Sequence, residues 1–310
     1  MHKTISLLAG VAALLVTAPA SAQSCNESCL LKLADKTMSA IADQDFRRLP
    51  WAEPTYFTEN NVSMMIGDGW WGSAGETTGN KTFAMADAKT GNVVWFGTIW
   101  DHDEPSFGAV RIQAPKGKIE EFEVIAARKR WPIPFGDPTN FDLSPEMTKS
   151  VASGDRRSRA RLVDLANSYL ATKQRNNGAL LADFAPGCGM MENGVHVTSA
   201  ELDVEPSEPT CAASFEAGLF ATVDRIRDRR FPVVDTKRGL VLAISVQDIS
   251  AEDASFRTVS GELATPQRLY PLSRLTAELI KIEGDEIMRV ESVVASLPYY
   301  MPTPWENGSK

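Results

Sequence analysis

Histidine is scarce in this chain of 310 residues: three occur, His2, His102 and His196. No H-x-H or H-E-x-x-H spacing joins them, so no metal site is expected. Cysteine is nearly as rare. Cys25 and Cys29 have two distant partners, Cys188 and Cys211, and no nearby histidine, which argues against zinc. Positive charge is in deficit, with 32 Lys and Arg against 40 Asp and Glu and a net charge of −8. An acidic chain without a basic stripe does not suit a phosphate backbone, and nucleic acid is excluded as a partner. Beyond the first twenty-two residues no apolar run approaches the ~20 residues that cross a bilayer, so no membrane span is expected. Gly-x-Ser-x-Gly is absent, and no Gly-x-Gly-x-x-Gly turn follows a predicted strand. Neither a nucleophile elbow nor a nucleotide cofactor is therefore expected, and none of any other kind.

What is present describes an exported folded protein. Hydrophobic residues make up 43% and charged residues 23%, ordinary values for a globular chain whose length suggests two domains. Lys3, the apolar run Ile5–Val16 and the small residues Ala20-Ser21-Ala22 form a secretory signal over residues 1–22, with cleavage expected after Ala22. The expected location is periplasmic or secreted. There, four cysteines make up to two disulfides in one of three pairings. Cys188–Cys211 is the favoured bridge. Cys25–Cys29 would close a small ring ahead of the first helix, although i,i+4 spacing inside a helix suits a bridge poorly.

The chain also repeats itself. Trp51–Val62 (WAEPTYFTENNV) matches Phe184–Val195 (FAPGCGMMENGV), Phe83–Gly91 matches Phe231–Gly239, and Lys116–Glu123 matches Gly284–Glu291. The three matches come in the same order. The second copy is longer, with insertions expected around Thr198–Phe215 and between Gln247 and Leu272. Each copy opens on helical spacing: Leu30, Leu31, Leu33, Ala34, Met38 and Ile41, then Leu162, Leu165, Ala166, Tyr169 and Leu170. Strands follow at Val93–Trp100, Ala109–Ala114, Leu240–Val246 and Leu275–Ile282. The predicted fold class is α+β, with domains at residues 24–131 and 156–305 and a Pro/Gly-rich linker at 132–155.

Four segments carry a family resemblance: Tyr56–Asn61, Gly67–Gly72, Phe96-Gly97 and Pro298–Trp305. The chain resembles a family of secreted bacterial and fungal proteins of unknown function, and each half resembles the SnoaL-like, or nuclear transport factor 2-like, cone. The resemblance implies two tandem cone-like domains, each a curved antiparallel sheet with N-terminal helices around an apolar pocket. That superfamily includes lyases, isomerases, dehydratases and non-catalytic binders.

Candidate residues follow from chemistry. Asn193-Gly194 and Asp235–Gly239 read as turns, so the repeats mostly record scaffold. Glu59 and Glu192, in register at strand ends, can serve as acid or base. His102 follows a strand within Trp100-Asp101-His102-Asp103-Glu104, where a carboxylate can orient the ring. His196, four residues after Glu192, would face it across a hairpin. Tyr56, Trp70, Trp71, Trp95 and Trp100 are the substrate-binding candidates, with Gly67–Gly72 as a lid presenting indoles. Arg225–Arg230 reads as a solvated helix face, and Pro298–Pro302 as an extended tail clamped to the fold. The expected function is cofactor-independent acid/base chemistry, of lyase, isomerase or dehydratase type, on a small apolar ring-bearing ligand. Asp101, His102 and Glu59 of the first copy would carry it, with an apolar cavity raising a carboxyl pKa. The alternative is a non-catalytic periplasmic binder. Assembly into a homo-oligomer is compatible with either.

Overall fold

The computed structural model describes residues 24–78, 82–130, 132–198, 210–250, 255–264 and 270–305. The signal segment 1–22 and most of the first expected insertion lie outside these. Helix α1 (Glu27–Ala42) starts where Asn26 accepts a hydrogen bond from the Cys29 amide, and it buries Leu30, Leu33, Ala34, Met38 and Ile41. Strands β1 (Trp51–Glu59) and β2 (Val62–Ser63) follow, then the short helix α2 (Trp70–Ser73). Next come β3 (Ala74–Thr77), β4 (Phe83–Asp87), β5 (Asn92–Asp101), β6 (Glu104–Gln113) and β7 (Ile119–Ala127). The connecting segment contains a 3-10 turn at Pro138–Asn140 and one α-helical turn, α3 (Pro145–Thr148). The second half opens with α4 (Arg159–Arg175), capped by Ser158 and closed by Asn176 in the left-handed region. It continues through β8 (Asp183–Glu192), β9 (Val195–His196), α5 (Cys211–Ala217), β10 (Arg225–Asp235) and β11 (Leu240–Ile249). The hairpin β12 (Phe256–Arg257) and β13 (Leu263–Ala264) precedes β14 (Leu272–Glu283) and β15 (Glu286–Leu297).

Two sheets carry the fold, and their strand orders correspond. The first runs β2-β1-β7-β6-β5-β3, with β4 also on β5; the second runs β9-β8-β15-β14-β11-β10. In each, the first long strand lies parallel to the last one, β1 beside β7 and β8 beside β15. The other pairs are antiparallel. The repeated Glu-Asn segment explains itself here. Asn60 bonds both the amide and the carbonyl of Ala126, and Asn193 does the same to Val294, so each asparagine clamps the parallel seam. Both sit at positive φ in a tight turn, 46° for Asn60 and 45° for Asn193. Asp87 and Asp235 likewise accept from backbone amides two residues on, at Lys89 and Lys237. The repeat is scaffold, as its turn chemistry implies.

Alternation along the strands places three apolar layers. Val93, Trp95 and Ile99 of β5 pack under α1, while Val94 and Phe96 face the second sheet. That middle layer joins Phe83, Met85 and Phe107 to Val233, Leu242, Leu279 and Val293. On the far side α4 covers Val241, Ile280 and Val290. The molecule is thus layered helix, sheet, sheet, helix, and its halves share a core. Corresponding strands meet across it, β7 against β15 and β4 against β10.

Both disulfides form, Cys25–Cys29 and Cys188–Cys211. Cys25 precedes the Asn26 cap, so only Cys29 lies inside the helix and the spacing objection does not apply. One expectation fails outright. Arg225–Arg230 is strand β10, not a helix face, because each guanidinium is held by a partner distant in sequence. Arg225 and Arg227 pair with Asp248, Arg230 with Glu123, and Arg229 with Asn167 and Gln174. No helix among the described residues is long and apolar enough to cross a membrane.

Candidate active site

Strands β5 and β6 are joined by the two-residue turn His102-Asp103, with φ of 52° and 61°. His and Asp tolerate this left-handed conformation better than most residues. The turn presents the His102 ring, 72% exposed, to a cleft of about 870 Å³. Arg128 and Lys129, just past β7, line it with Phe135 and Pro138 of the connecting segment. That segment is therefore a wall rather than a loose linker. It is held in place by the second half, where Asn193 bonds the carbonyl of Pro134 and its own carbonyl accepts from the Gly136 amide.

Asp101 is fully buried beneath the histidine. Its carboxylate accepts from His102 Nδ1 at 2.8 Å, Trp70 Nε1 at 2.9 Å and Arg128 Nε at 2.7 Å. Burial alone would favour the neutral acid. The Ser73 hydroxyl, the Arg128 charge and the Trp70 indole outweigh it and hold the carboxyl below its ordinary value. This reverses the expectation of a raised carboxyl pKa. An ionised carboxylate can only accept, so Nδ1 carries a proton, and in the neutral ring Nε2 is the nitrogen with the lone pair. Glu59 joins the same cluster, accepting from Arg128 Nη2 at 2.8 Å and from the Trp70 amide at 2.9 Å. Arg128 thus ties both carboxylates together, and these partners hold its pKa up against the opposing effect of its own burial. Glu59, Asp101 and His102 are brought together as the sequence suggested, but Glu59 is buried on Arg128 and does not line the cleft.

The other candidates are placed differently. Trp70 and Trp71 are core, not lid: Trp71 packs edge-on against Phe46 and Trp51 and tilts over Phe122. Large rings filled the apolar layer beneath α1 because Gly108 leaves room for them; a Cβ there would lie 2.1 Å from Trp70 Cη2. Trp95 is core as well, whereas Trp100 and Tyr56 are exposed, the latter edge-on to Trp305. Gly67, Gly69 and Gly72 have the spacing of a dinucleotide fingerprint, but Gly67 and Gly69 serve packing and a Cβ on Gly72 would meet nothing. A Cβ on Gly69 would fall 2.3 Å from Glu59 Oε2, and the helix that follows is four residues long.

In the second half Glu192 and His196 are not brought together. Glu192 lies opposite Val195, and His196 opposite Met191, so the two side chains leave opposite faces of the hairpin. Glu192 is buried with Lys173 and Arg274, beside Glu278, which accepts from the Tyr169 hydroxyl at 3.0 Å. Burial, then the charge of Glu278, pushes the Tyr169 hydroxyl well above its usual value. His196 is lowered by burial and by Arg289. Sequence reasoning missed Arg128, Lys173, Arg274 and Glu278. The first two lie far along the chain from the acids they meet, and the other two sit inside an apolar strand, β14, where a lone charge looks incidental. Among the described residues no cluster of three or more His, Cys, Asp or Glu could hold a metal ion.

The arrangement defines a class: a layered α+β protein carrying a carboxylate–histidine dyad at the rim of an open cleft. Residues 155–294, from the start of the second half into β15, match a family described as a domain of unknown function (DUF8021). No curated protein matches the chain.

Proposed function

We propose that this is an exported, cofactor-independent acid/base enzyme of lyase or isomerase type, built from two cone-like halves, with its site at the Asp101–His102 cleft. One observation carries the reading: a buried carboxylate, fixed by three donors, sets the tautomer of an exposed imidazole and leaves Nε2 free to take a proton. Phe135 and Pro138 offer an apolar wall for a ring-bearing ligand, and Lys129 stabilises negative charge that develops on it. The cone reading rests on the matching strand orders and on the helix laid across the outer face of each sheet. The signal segment and the two disulfides support export to the periplasm or beyond.

The test is proton exchange. Ring-bearing carbonyl and hydroxy compounds are incubated with the protein in D2O and followed by proton NMR. We expect loss of an acidic C–H signal or turnover, slowed by about 10²–10⁴-fold in His102→Ala. Asp101→Asn should cost nearly as much, because an amide no longer fixes which ring nitrogen is protonated. Full activity in His102→Ala would remove the assignment. The binder reading keeps one observation in its favour: Glu59, the second expected proton-transfer group, is engaged by Arg128 away from the cleft. Saturable binding without exchange would select it.

A further inference from the structure

The turn that carries His102 has a support besides Asp101. Strand β3 pairs with the end of β5, placing Ala74 opposite Asp101, and one step further the His102 amide donates to the Ser73 carbonyl at 2.9 Å. Ser73 is the last residue of α2, whose Trp70 indole already meets Asp101. The Ser73 hydroxyl is hydrogen-bonded to the same carboxylate. Trp70 and Arg128 both bond Oδ2, and His102 bonds Oδ1, so the hydroxyl is one more restraint on how that carboxylate is turned.

Three observations set Ser73 apart from an ordinary serine at a helix end. First, it touches both members of the dyad, the backbone of the histidine and the carboxylate beneath its ring. His102 stands at φ of 52°, a conformation that non-glycine residues keep where their surroundings fix it, and the Ser73 carbonyl is the acceptor that does so. Second, the hydroxyl has one proton and two acceptors in reach, because the Gly69 carbonyl lies 3.3 Å from Oγ. A bond to an ionised carboxylate is roughly twice as strong as one to a neutral carbonyl, so the proton goes to Asp101 while that carboxyl is charged. Third, β3 has no counterpart in the second sheet, where β11 pairs with β10 and β14 among the described residues. That strand ends at Ile249 with no histidine after it. The support occurs in the copy that holds the dyad.

We infer that Ser73 is a positioning residue for the Asp101–His102 dyad, its carbonyl fixing the turn and its hydroxyl fixing the carboxylate. The inference rests on the reading of that dyad as the proton-transfer site. Ser73 does not border the cleft, so it acts through Asp101 and His102 rather than on the ligand.

The intact protein, labelled with carbon-13 and nitrogen-15, is followed by NMR at the Asp101 carboxyl and the His102 ring nitrogens as pH is stepped, in the parent, Ser73→Ala and Ser73→Thr. In Ser73→Ala the carboxyl should titrate at higher pH than in the parent, and the Nε2-protonated form of the ring should gain population at neutral pH. The His102 amide should stay protected from hydrogen exchange, because alanine keeps the carbonyl. Ser73→Thr keeps the hydroxyl and should restore the parent titration. On any compound whose C–H the parent exchanges, Ser73→Ala should slow exchange about tenfold. A parent-like carboxyl titration and parent-like ring nitrogens in Ser73→Ala overturn the inference, whatever happens to the thermal midpoint. So does a carboxyl displaced equally in Ser73→Thr. Displaced titration in Ser73→Ala, rescued by threonine, in a protein that exchanges no C–H would remove the acid/base reading and keep Ser73 as the support of the dyad.

Discussion

Glu123 and Glu291 hold the same place in the repeated pattern, opposite Thr58 and Met191 across the parallel seams, yet their carboxyls move in opposite directions. Burial raises both. At Glu123 it is overcome by Arg230 and Arg111, which hold the carboxyl at about 2 against an ordinary 4.5. At Glu291 burial prevails over Arg289 and the carboxyl stays raised. A depressed carboxyl contributes stability that is present above pH 4.5 and lost as pH falls toward about 2. Glu123→Gln should therefore destabilise the protein at pH 7 by about 3 kcal/mol, with the gap to the parent closing between pH 4.5 and 2. Urea unfolding at stepped pH checks it; a gap of constant size would show that Glu123 stabilises by packing alone. At this scale the sequence was most legible where partners are adjacent. Asp101 and His102 are neighbours in a chain poor in histidine. Arg128 could not be found, because its role depends on β7 ending beside both Glu59 and Asp101.

Gly108, in the middle of β6, sets how α2 docks, since the Trp70 ring occupies the space a side chain would fill. Gly108→Ala forces that indole off Asp101, and a rigid ring in a packed layer yields at a cost of about 1–3 kcal/mol. The expected result is a lower thermal midpoint together with a changed His102 ring resonance, because the carboxylate that orients the ring has lost a donor. A lower midpoint with an unmoved resonance would separate the dyad from α2. Elements with regular apolar spacing were readable, including α1, α4, β5 and β11. Strand β10 was not. Its alternating charges satisfy the i,i+3 and i,i+4 rule of a helix, while the features that make it a strand are Asp248 across the ladder and a register shift near Asp228.

On the scale of the molecule, the repeat announced two copies but not that they share a core. The sign was present in β5 and β11, whose runs of apolar residues leave no polar face and so belong to strands covered on both sides. Residues 156–305 produced alone would expose Val233, Leu242, Leu279 and Val293. That fragment should elute from gel filtration as a dimer or larger species, while the full mature chain unfolds in one transition. A monomeric, cooperatively folding fragment would mean that the middle layer is dispensable.

The meeting of β7 with β15 and of β4 with β10 resembles an isologous dimer written in one chain. In a true homodimer each surface must complement itself, and every cross-contact occurs twice. Here Glu123 receives Arg230 from across the middle layer, whereas Glu291 is met by Arg289 and the Ser144 amide of the connecting segment. Joining the copies frees each face from being its own complement. One can specialise in holding its twin and the other in shaping a cleft, a division of labour closed to two identical subunits.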